Sequence, residues 1–138
     1  MITLATSQVN DLFAHARELA PAECCGLIGG EENGNARNIY RLRNVAAQQE
    51  VTYEAAPEDL FAAQREMRRR GEHLLAIYHS HPRAVEPAPS DTDVRLAYYP
   101  SAVYLIISLG SIEPILGAFR ISEQQQRWEQ VEYRIVDE

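Results

Sequence analysis

The chain has 138 residues, of which 46% are hydrophobic and 24% are charged, as is usual for a globular protein of this size. Its formal net charge of -7 argues against nucleic acid or an anionic membrane surface as the main partner, because both attract basic proteins. We therefore expect a single domain over residues 1–138, with neither a nucleic-acid nor a membrane partner.

The cysteines and the apolar runs indicate the cellular compartment of the protein. Cys24 and Cys25 are neighbours in sequence, so they predict no disulfide framework. The polar start of the chain, residues 1–12, lacks the character of a signal peptide, and the longest apolar run, residues 102–109, is too short to cross a membrane. These features favour a reducing cytoplasm and leave the oligomeric state open.

Caps and apolar spacing predict helices over residues 6–20, 57–70 and 90–98. Thr6 or Ser7 would cap the first helix, and Ser90 would cap the third. The first helix places a set of apolar side chains on one face: Val9, Leu12, Phe13, Ala16 and Leu19 or Ala20. The second helix begins with acidic residues and ends with three arginines before Gly71, which suits the helix dipole.

Apolar runs and alternation predict strands over residues 2–4, 24–28, 37–45, 73–78, 103–109, 115–121 and 128–136. The second and third of these form a hairpin, and Gly29-Gly30 closes the first strand of the pair. The segment 73–78 is apolar on both faces, so we expect a central strand that is covered on both sides. Together the elements predict an α/β or α+β fold with a mixed β-sheet flanked by helices.

Two histidines and a carboxylate follow the predicted central strand. His79 and His81 point to the same side if their segment is extended, because strand side chains alternate between faces. Asp93 comes after a loop, residues 82–89, and lies in the first turn of the third predicted helix. Two nitrogens and one oxygen form the ligand set of a catalytic zinc site. The structural alternative is that Ser90 and Asp93 form a helix cap, which would also fix the direction of Asp93.

Glu23 stands at the entrance of the apolar segment 24–28. A carboxylate at the end of a strand is most simply explained as exposed to solvent. Beside a zinc site, however, Glu23 becomes the candidate general base that takes a proton from a water molecule bound to the metal.

Two segments of the chain resemble the signature of the JAMM (MPN-plus) zinc metalloproteases. His79-Ser80-His81-Pro82 followed by Ser90-Asp91-Thr92-Asp93 is similar to their metal-binding pattern, and residues 21–30 resemble the upstream segment with their catalytic glutamate. The resemblance covers roughly residues 23–100, and two segments in the right order are more specific than one motif. The loop 82–89 is one residue longer than the family usually has. Asp91 could be the ligand in a shifted register, but Asp93 preserves the family's spacing from the serine.

The resemblance implies an MPN/JAMM-like domain and a role for each matched residue. His79, His81 and Asp93 would bind one Zn²⁺, Glu23 would be the general base, and Ser90 would help to stabilise the oxyanion of the tetrahedral intermediate. Small members of the family without inserts are associated with ubiquitin-like sulfur-carrier proteins that end in Gly-Gly. The implied function is a zinc metallopeptidase, or deubiquitinase-like isopeptidase, that cleaves a peptide or isopeptide bond after such a tail.

Three other functions have weaker support. A non-catalytic MPN interaction module would have lost the metal ligands, which are retained here together with Glu23; a zinc assay distinguishes the two. A bacterial family associated with DNA repair carries a similar pattern, but the acidic charge and the lack of a DNA-binding extension disfavour that role. A zinc deaminase would need His-x-Glu and Pro-Cys-x-x-Cys, and neither occurs in the sequence.

Overall fold

A six-stranded mixed sheet forms the centre of the fold in a computed structural model that describes residues 1–137. The strands are β1 (Ile2–Ala5), β2 (Cys25–Gly30), β3 (Ala36–Leu42), β4 (His73–His81), β5 (Val103–Ser108), β6 (Ile115–Ser122), β7 (Arg127–Val131) and β8 (Tyr133–Val136). The helices are α1 (Thr6–Leu19), α2 (Pro57–Arg70) and α3 (Asp91–Arg95). Among the described residues, no helix is long and apolar enough to cross a membrane.

Strand β4 lies in the middle of the main sheet, whose order is β3-β2-β4-β5-β6-β7. It pairs antiparallel with β2 and parallel with β5, so the sheet is mixed as predicted. In the β2–β4 pair, Cys25 lies opposite His79. The start of β2 and the end of β4 therefore meet at the same edge of the sheet, and this brings Glu23 to the two histidines.

Two apolar cores cover the two faces of the sheet. On one face α1 contributes Val9, Leu12 and Ala16, and on the other face α2 contributes Ala63 and Met67. Residues 76–80 of β4 are buried between these cores. The prediction of a central strand covered on both sides is confirmed, and β4 is consequently a well-packed support for the side chains at its end.

Helix α1 begins and ends differently from the prediction. Its N-cap is Ala5 rather than Thr6 or Ser7, because the side chain of Gln8 reaches back and accepts the Ala5 N–H at 2.8 Å. The predicted apolar face also stops one turn early, since Leu19 is exposed and so is Ala20 beyond the helix. A side chain other than a hydroxyl thus supplies the cap.

Helix α2 agrees with the prediction, whereas α3 is shorter than predicted. The C-cap of α2 is Gly71, which has a left-handed φ of 69° that suits glycine. Helix α3 ends at Arg95 instead of about Tyr98. Beyond the helix, the Tyr99 N–H donates to the hydroxyl of Tyr104 in β5, at 3.2 Å.

The predicted strand over residues 128–136 is two strands that belong to different sheets. Strand β7 pairs antiparallel with β6, whereas β8 leaves the main sheet and pairs in parallel with β1. The chain changes sheets at Glu132, between the two strands. For this reason the predicted alternation does not continue on one face, and Ile135 is exposed.

Strand β2 continues through Gly29-Gly30, which the sequence predicted as its end. A glycine is required at the second position because a Cβ on Gly30 would lie 2.1 Å from the carbonyl oxygen of Asn35. The close approach of this backbone, and not a turn, explains the glycine. The predicted hairpin of β2 with β3 is confirmed.

Candidate metal centre and active site

The last residues of β4 bring two histidines to the same face of the sheet. The Nε2 atoms of His79 and His81 lie 3.1 Å apart, with His79 fully buried and His81 partly buried. Ser80, between them, points to the opposite face, where its Oγ accepts the N–H of Cys24 at 2.8 Å. Strand alternation therefore places both imidazoles on one face and the Ser80 side chain on the other. The hydrogen bond of Ser80 links β4 to the residue that precedes β2.

The carboxylate of Asp93 meets both histidines from the first turn of α3. Its Oδ2 lies 3.1 Å from His79 Nε2 and 3.0 Å from His81 Nε2. Ser90 caps the helix: its Oγ accepts the Asp93 N–H at 3.1 Å, and its own N–H donates to Asp93 Oδ2 at 2.9 Å. The cap and the cluster thus coexist in the same turn. Asp91, the ligand of the shifted register, is exposed and lines a different surface beside Trp128.

Glu23 is buried beside the histidines, so the simple expectation of an exposed carboxylate is wrong: only 4% of the residue is accessible. Its N–H donates to the Gln49 carbonyl at 2.7 Å, and its own carbonyl accepts the side chain of Asn44 at 3.0 Å. One possible ligand atom from each of Glu23, His79 and His81 lies within 4.8 Å of the others. The carboxylate therefore belongs to the same cluster as the two imidazoles.

The two carboxyl groups of the cluster have opposite pKa shifts. Burial raises the pKa of Glu23 to about 7, against the influence of His81 and with a further contribution from Asp93. Burial also acts to raise the pKa of Asp93, but the charge of His79 and the hydrogen bonds to both imidazoles outweigh it and hold that pKa well below its usual range. Asp93 is consequently ionised at neutral pH, whereas Glu23 can gain or lose a proton there.

The donor set of this cluster fits a zinc ion. Two imidazole nitrogens and a carboxylate oxygen lie mutually 3.0–3.1 Å apart, close enough for all three to contact one Zn²⁺ at typical distances of about 2.0–2.2 Å. Within residues 1–137, two buried side-chain polar atoms have no hydrogen-bond partner, and both belong to residues of the cluster: Glu23 Oε1 and His79 Nδ1. Buried polar atoms are usually paired, so an unpaired Glu23 Oε1 close to three converging ligand atoms is consistent with a metal site.

Two further residues of the site have no counterpart in the motif. The aromatic ring of Tyr53 stacks on the imidazole of His79, with ring centroids 4.6 Å apart and planes at 29°. Asn44 holds the backbone of Glu23. Both lie in the segment between β3 and α2, residues 43–56, which we call the Asn44 loop. The loop has no periodicity, and the sequence analysis contained no signal that selected either residue.

A cavity of about 550 Å³ lies beside the cluster and shares Tyr53 and Asp93 with it. Apolar and aromatic side chains make up much of its lining: Leu27, Leu42, Leu60, Ile77, Leu96, Tyr98, Tyr99 and Tyr104. Leu96, Tyr98 and Tyr99, which follow the early end of α3, are exposed. An apolar chain segment can therefore reach the cluster from this side.

Comparison with known proteins identifies the family. Residues 6–128 match the family described as prokaryotic homologs of the JAB domain. The chain belongs to this family. It is 37% identical over 114 residues to a desampylase of Haloferax volcanii, an alignment that covers 78% of this chain and 80% of that protein. It is also 31% identical over 137 residues to a CysO-cysteine peptidase of Mycobacterium tuberculosis, covering 99% of this chain and 84% of that protein.

A solved structure supports the fold of this JAB-family chain. The solution structure of a protein from Desulfitobacterium hafniense has a TM-score of 0.88 and 34% sequence identity to it. That match covers 100% of this chain and 94% of the other. The resemblance that rested on Glu23 and on the segment from His79 to Asp93 is thus confirmed at the level of the family and of the fold.

Proposed function

We propose that this single-domain protein is a zinc-dependent metallopeptidase that hydrolyses a peptide or isopeptide bond after the Gly-Gly tail of a ubiquitin-like sulfur-carrier protein. The observation that carries the proposal is the convergence of His79, His81 and Asp93 with a buried Glu23 beside them. Similarity to proteins named desampylase and CysO-cysteine peptidase supports the peptidase class. The acidic chain gives no support for a nucleic-acid substrate.

In the proposed mechanism three side chains hold the metal: His79 and His81 through Nε2, and Asp93 through Oδ2. When bound, zinc supplies Lewis-acid polarisation and lowers the pKa of water at the site. Ser90 holds the Asp93 carboxylate in place with its backbone N–H, at 2.9 Å. The ionised state of Asp93 at neutral pH provides the negative charge that the cation needs.

Glu23 acts as the general base and then as the general acid. Its carboxylate takes a proton from the attacking water and later delivers it to the leaving amine. A pKa of about 7, raised by burial, allows both transfers near neutral pH. Its buried Oε1 has no partner among residues 1–137 and is therefore free to accept that proton.

Ser90 stabilises the oxyanion that forms when water attacks the scissile carbonyl. The Oγ lone pair accepts the Asp93 N–H, which leaves the hydroxyl proton available for donation. One well-placed donor of this kind lowers the barrier by about 3 kcal/mol. The same serine therefore serves the helix cap and the reaction.

The cavity next to Asp93 supports an extended, partly apolar tail as the substrate segment. Such a tail binds through its main chain, and its side chains use the apolar walls of the cavity. The two terminal glycines have no side chains, so their backbone can approach the reacting centre closely. We therefore expect cleavage directly after the second glycine.

The test uses the purified chain and fusions in which a Gly-Gly-tailed carrier precedes a reporter peptide. We expect about one zinc per chain and cleavage after the second glycine. Chelation followed by dialysis should abolish cleavage, and added zinc should restore it. A fusion whose tail ends in Ala-Ala serves as the matched substrate control. Full activity of the metal-free protein contradicts the metallopeptidase, and binding of the carrier without cleavage identifies a non-catalytic interaction module instead.

A further inference from the structure

The side-chain amide of Asn44 forms hydrogen bonds at both of its ends. Its Nδ2 donates to the carbonyl of Glu23 at 3.0 Å and to the carbonyl of Thr52 at 3.1 Å, with a longer contact to the carbonyl of Gln49 at 3.5 Å. Its Oδ1 accepts the N–H of Ala46 at 3.0 Å and the N–H of Glu54 at 3.1 Å. All five partners are backbone groups. A carboxylate of the same shape could accept but not donate, so this arrangement requires an amide.

The Asn44 loop contacts the candidate active site at two places. The Gln49 carbonyl accepts the N–H of Glu23 at 2.7 Å, so Asn44 and Gln49 hold both backbone polar groups of the proposed general base. At the other place, Tyr53 stacks on His79. The residues on either side of Tyr53 are the ones whose backbone groups Asn44 binds. One amide therefore connects Glu23 to the ring that packs on a proposed zinc ligand.

We propose that Asn44 is a positioning residue for the hydrolytic reaction. By tying the backbone of Glu23 to the segment that carries Tyr53, it fixes the general base and the His79 imidazole in one relative geometry. The catalytic part of this inference rests on the proposed function. The structural part, the tie that Asn44 forms between the backbone of Glu23 and the segment that carries Tyr53, rests on the hydrogen bonds alone. Geometry of this kind matters because a displacement of about 1 Å in an active site can lower the rate about 100-fold.

Two substitutions test the tie. Asn44→Asp keeps the shape and the acceptor oxygens but removes both N–H donors, so the Glu23 and Thr52 carbonyls lose their partner. Asn44→Ala removes every hydrogen bond of this side chain. Gln48→Ala is the control, because Gln48 is exposed in the same loop and its side chain makes no hydrogen bond within residues 1–137.

Steady-state kinetics on a Gly-Gly carrier fusion separates positioning from binding. We expect both Asn44 variants to lose about 100-fold in kcat with a nearly unchanged KM. Zinc content should stay at the wild-type level, and the Gln48→Ala variant should keep the wild-type kcat. An Asn44→Asp enzyme with wild-type kcat overturns the positioning role, and so does a loss that resides entirely in KM.

Two measurements that need no substrate accompany the kinetics. Hydrogen exchange should become faster at the amide of Glu23 in both Asn44 variants and at the amide of Glu54 in Asn44→Ala, which alone removes its acceptor. Zinc should transfer faster to a chelator because Tyr53 no longer packs firmly on His79. Unchanged exchange and unchanged zinc release overturn the proposal. If the wild type cleaves no carrier fusion while both rates rise in the variants, the proposed function fails and the tie between Glu23 and the Tyr53 segment stands.

Discussion

Strand β4 carries two buried polar clusters on opposite faces of the sheet, and they differ in how far their hydrogen bonds are satisfied. On the α1 side, His15 Nδ1 lies 2.7 Å from the hydroxyl of Tyr78, and both residues are buried. On the α2 side, Glu23 Oε1 and His79 Nδ1 are buried without a partner within residues 1–137. The first cluster is complete in itself, whereas in the second the unpaired Glu23 Oε1 is costly for the fold unless it gains a partner.

Burial has the same physical effect on both clusters but opposite functional consequences. On the α1 side, burial lowers the pKa of His15 to about 4, with Arg41 adding to the shift and Glu18 opposing it. On the α2 side, burial raises the pKa of Glu23 to about 7. In each case the charged form is disfavoured. The imidazole is thereby kept neutral and inert at physiological pH, while the carboxyl is brought to the pH at which it can transfer protons.

The largest expected effect comes from Glu23→Gln, which removes the proton acceptor and keeps the shape of the side chain. We expect kcat to fall about a thousandfold, with zinc content unchanged because Glu23 is not among the three proposed ligands. Cleavage assays and metal analysis measure the two quantities. Glu32→Gln, at an exposed glutamate, is the matched control and should keep wild-type activity. If Glu23→Gln remains active, the general-base assignment is wrong.

The next effect is that of Ser90→Ala, which we expect to lower kcat about 100-fold by removing the donor to the oxyanion. The same change removes the helix cap and should lower the free energy of unfolding by about 1 kcal/mol. Ser90→Thr retains a hydroxyl and should recover most of both losses. A loss of stability without a loss of kcat would show that Ser90 is only a cap. Metal analysis of each variant shows whether Asp93 keeps its place.

Most of the α2-side cluster could be predicted from the sequence because its determinants are local. Alternation in a strand presents His79 and His81 together, and a cap three residues before Asp93 directs its carboxylate. Asn44 and Tyr53 could not be found in this way. Their contacts depend on the shape of an irregular loop. Those of Asn44 go to backbone groups, which every sequence offers, and the stacking of Tyr53 on His79 depends on where the loop places its ring.

The fold could be predicted to a similar extent. The prediction failed where the pairing of distant strands decides which sheet a strand joins. The bounds of α2 follow from Pro57 and Gly71, two residues with strong local preferences. By contrast, the alternation of residues 128–136 indicates strand structure without indicating which sheet the strand joins. The switch at Glu132 follows from the pairing of β8 with β1, whose sequence lies at the other end of the chain.

A pH titration of stability tests the α1-side cluster. The pKa of His15 is about 4 in the folded protein, below its ordinary value of 6.5, so falling pH protonates the unfolded state first. Its contribution to stability is complete above pH 6.5 and is lost as the pH falls toward 4. Between pH 7 and pH 5 we expect a loss of about 2 kcal/mol from this residue. The free energy of unfolding in urea is measured across this pH range for the wild type and for His15→Gln, whose side chain does not titrate. The difference between the two pH dependences gives the contribution of His15. The same pH dependence in both proteins would contradict the lowered pKa of His15.

The smallest expected effect is that of Tyr78→Phe, which tests whether the two faces of the main sheet act independently. Tyr78→Phe removes the hydroxyl that His15 contacts and leaves a buried imidazole nitrogen unpaired, which should lower the free energy of unfolding by about 1 kcal/mol. Tyr78 precedes His79 in β4, but its side chain points to the other face, so kcat and KM should stay at wild-type values. Urea unfolding and cleavage assays on the same preparation measure both. A large loss of kcat in Tyr78→Phe would mean that the two clusters are coupled through β4, and that the α1-side pair helps to position the proposed zinc ligands as well as to stabilise the fold.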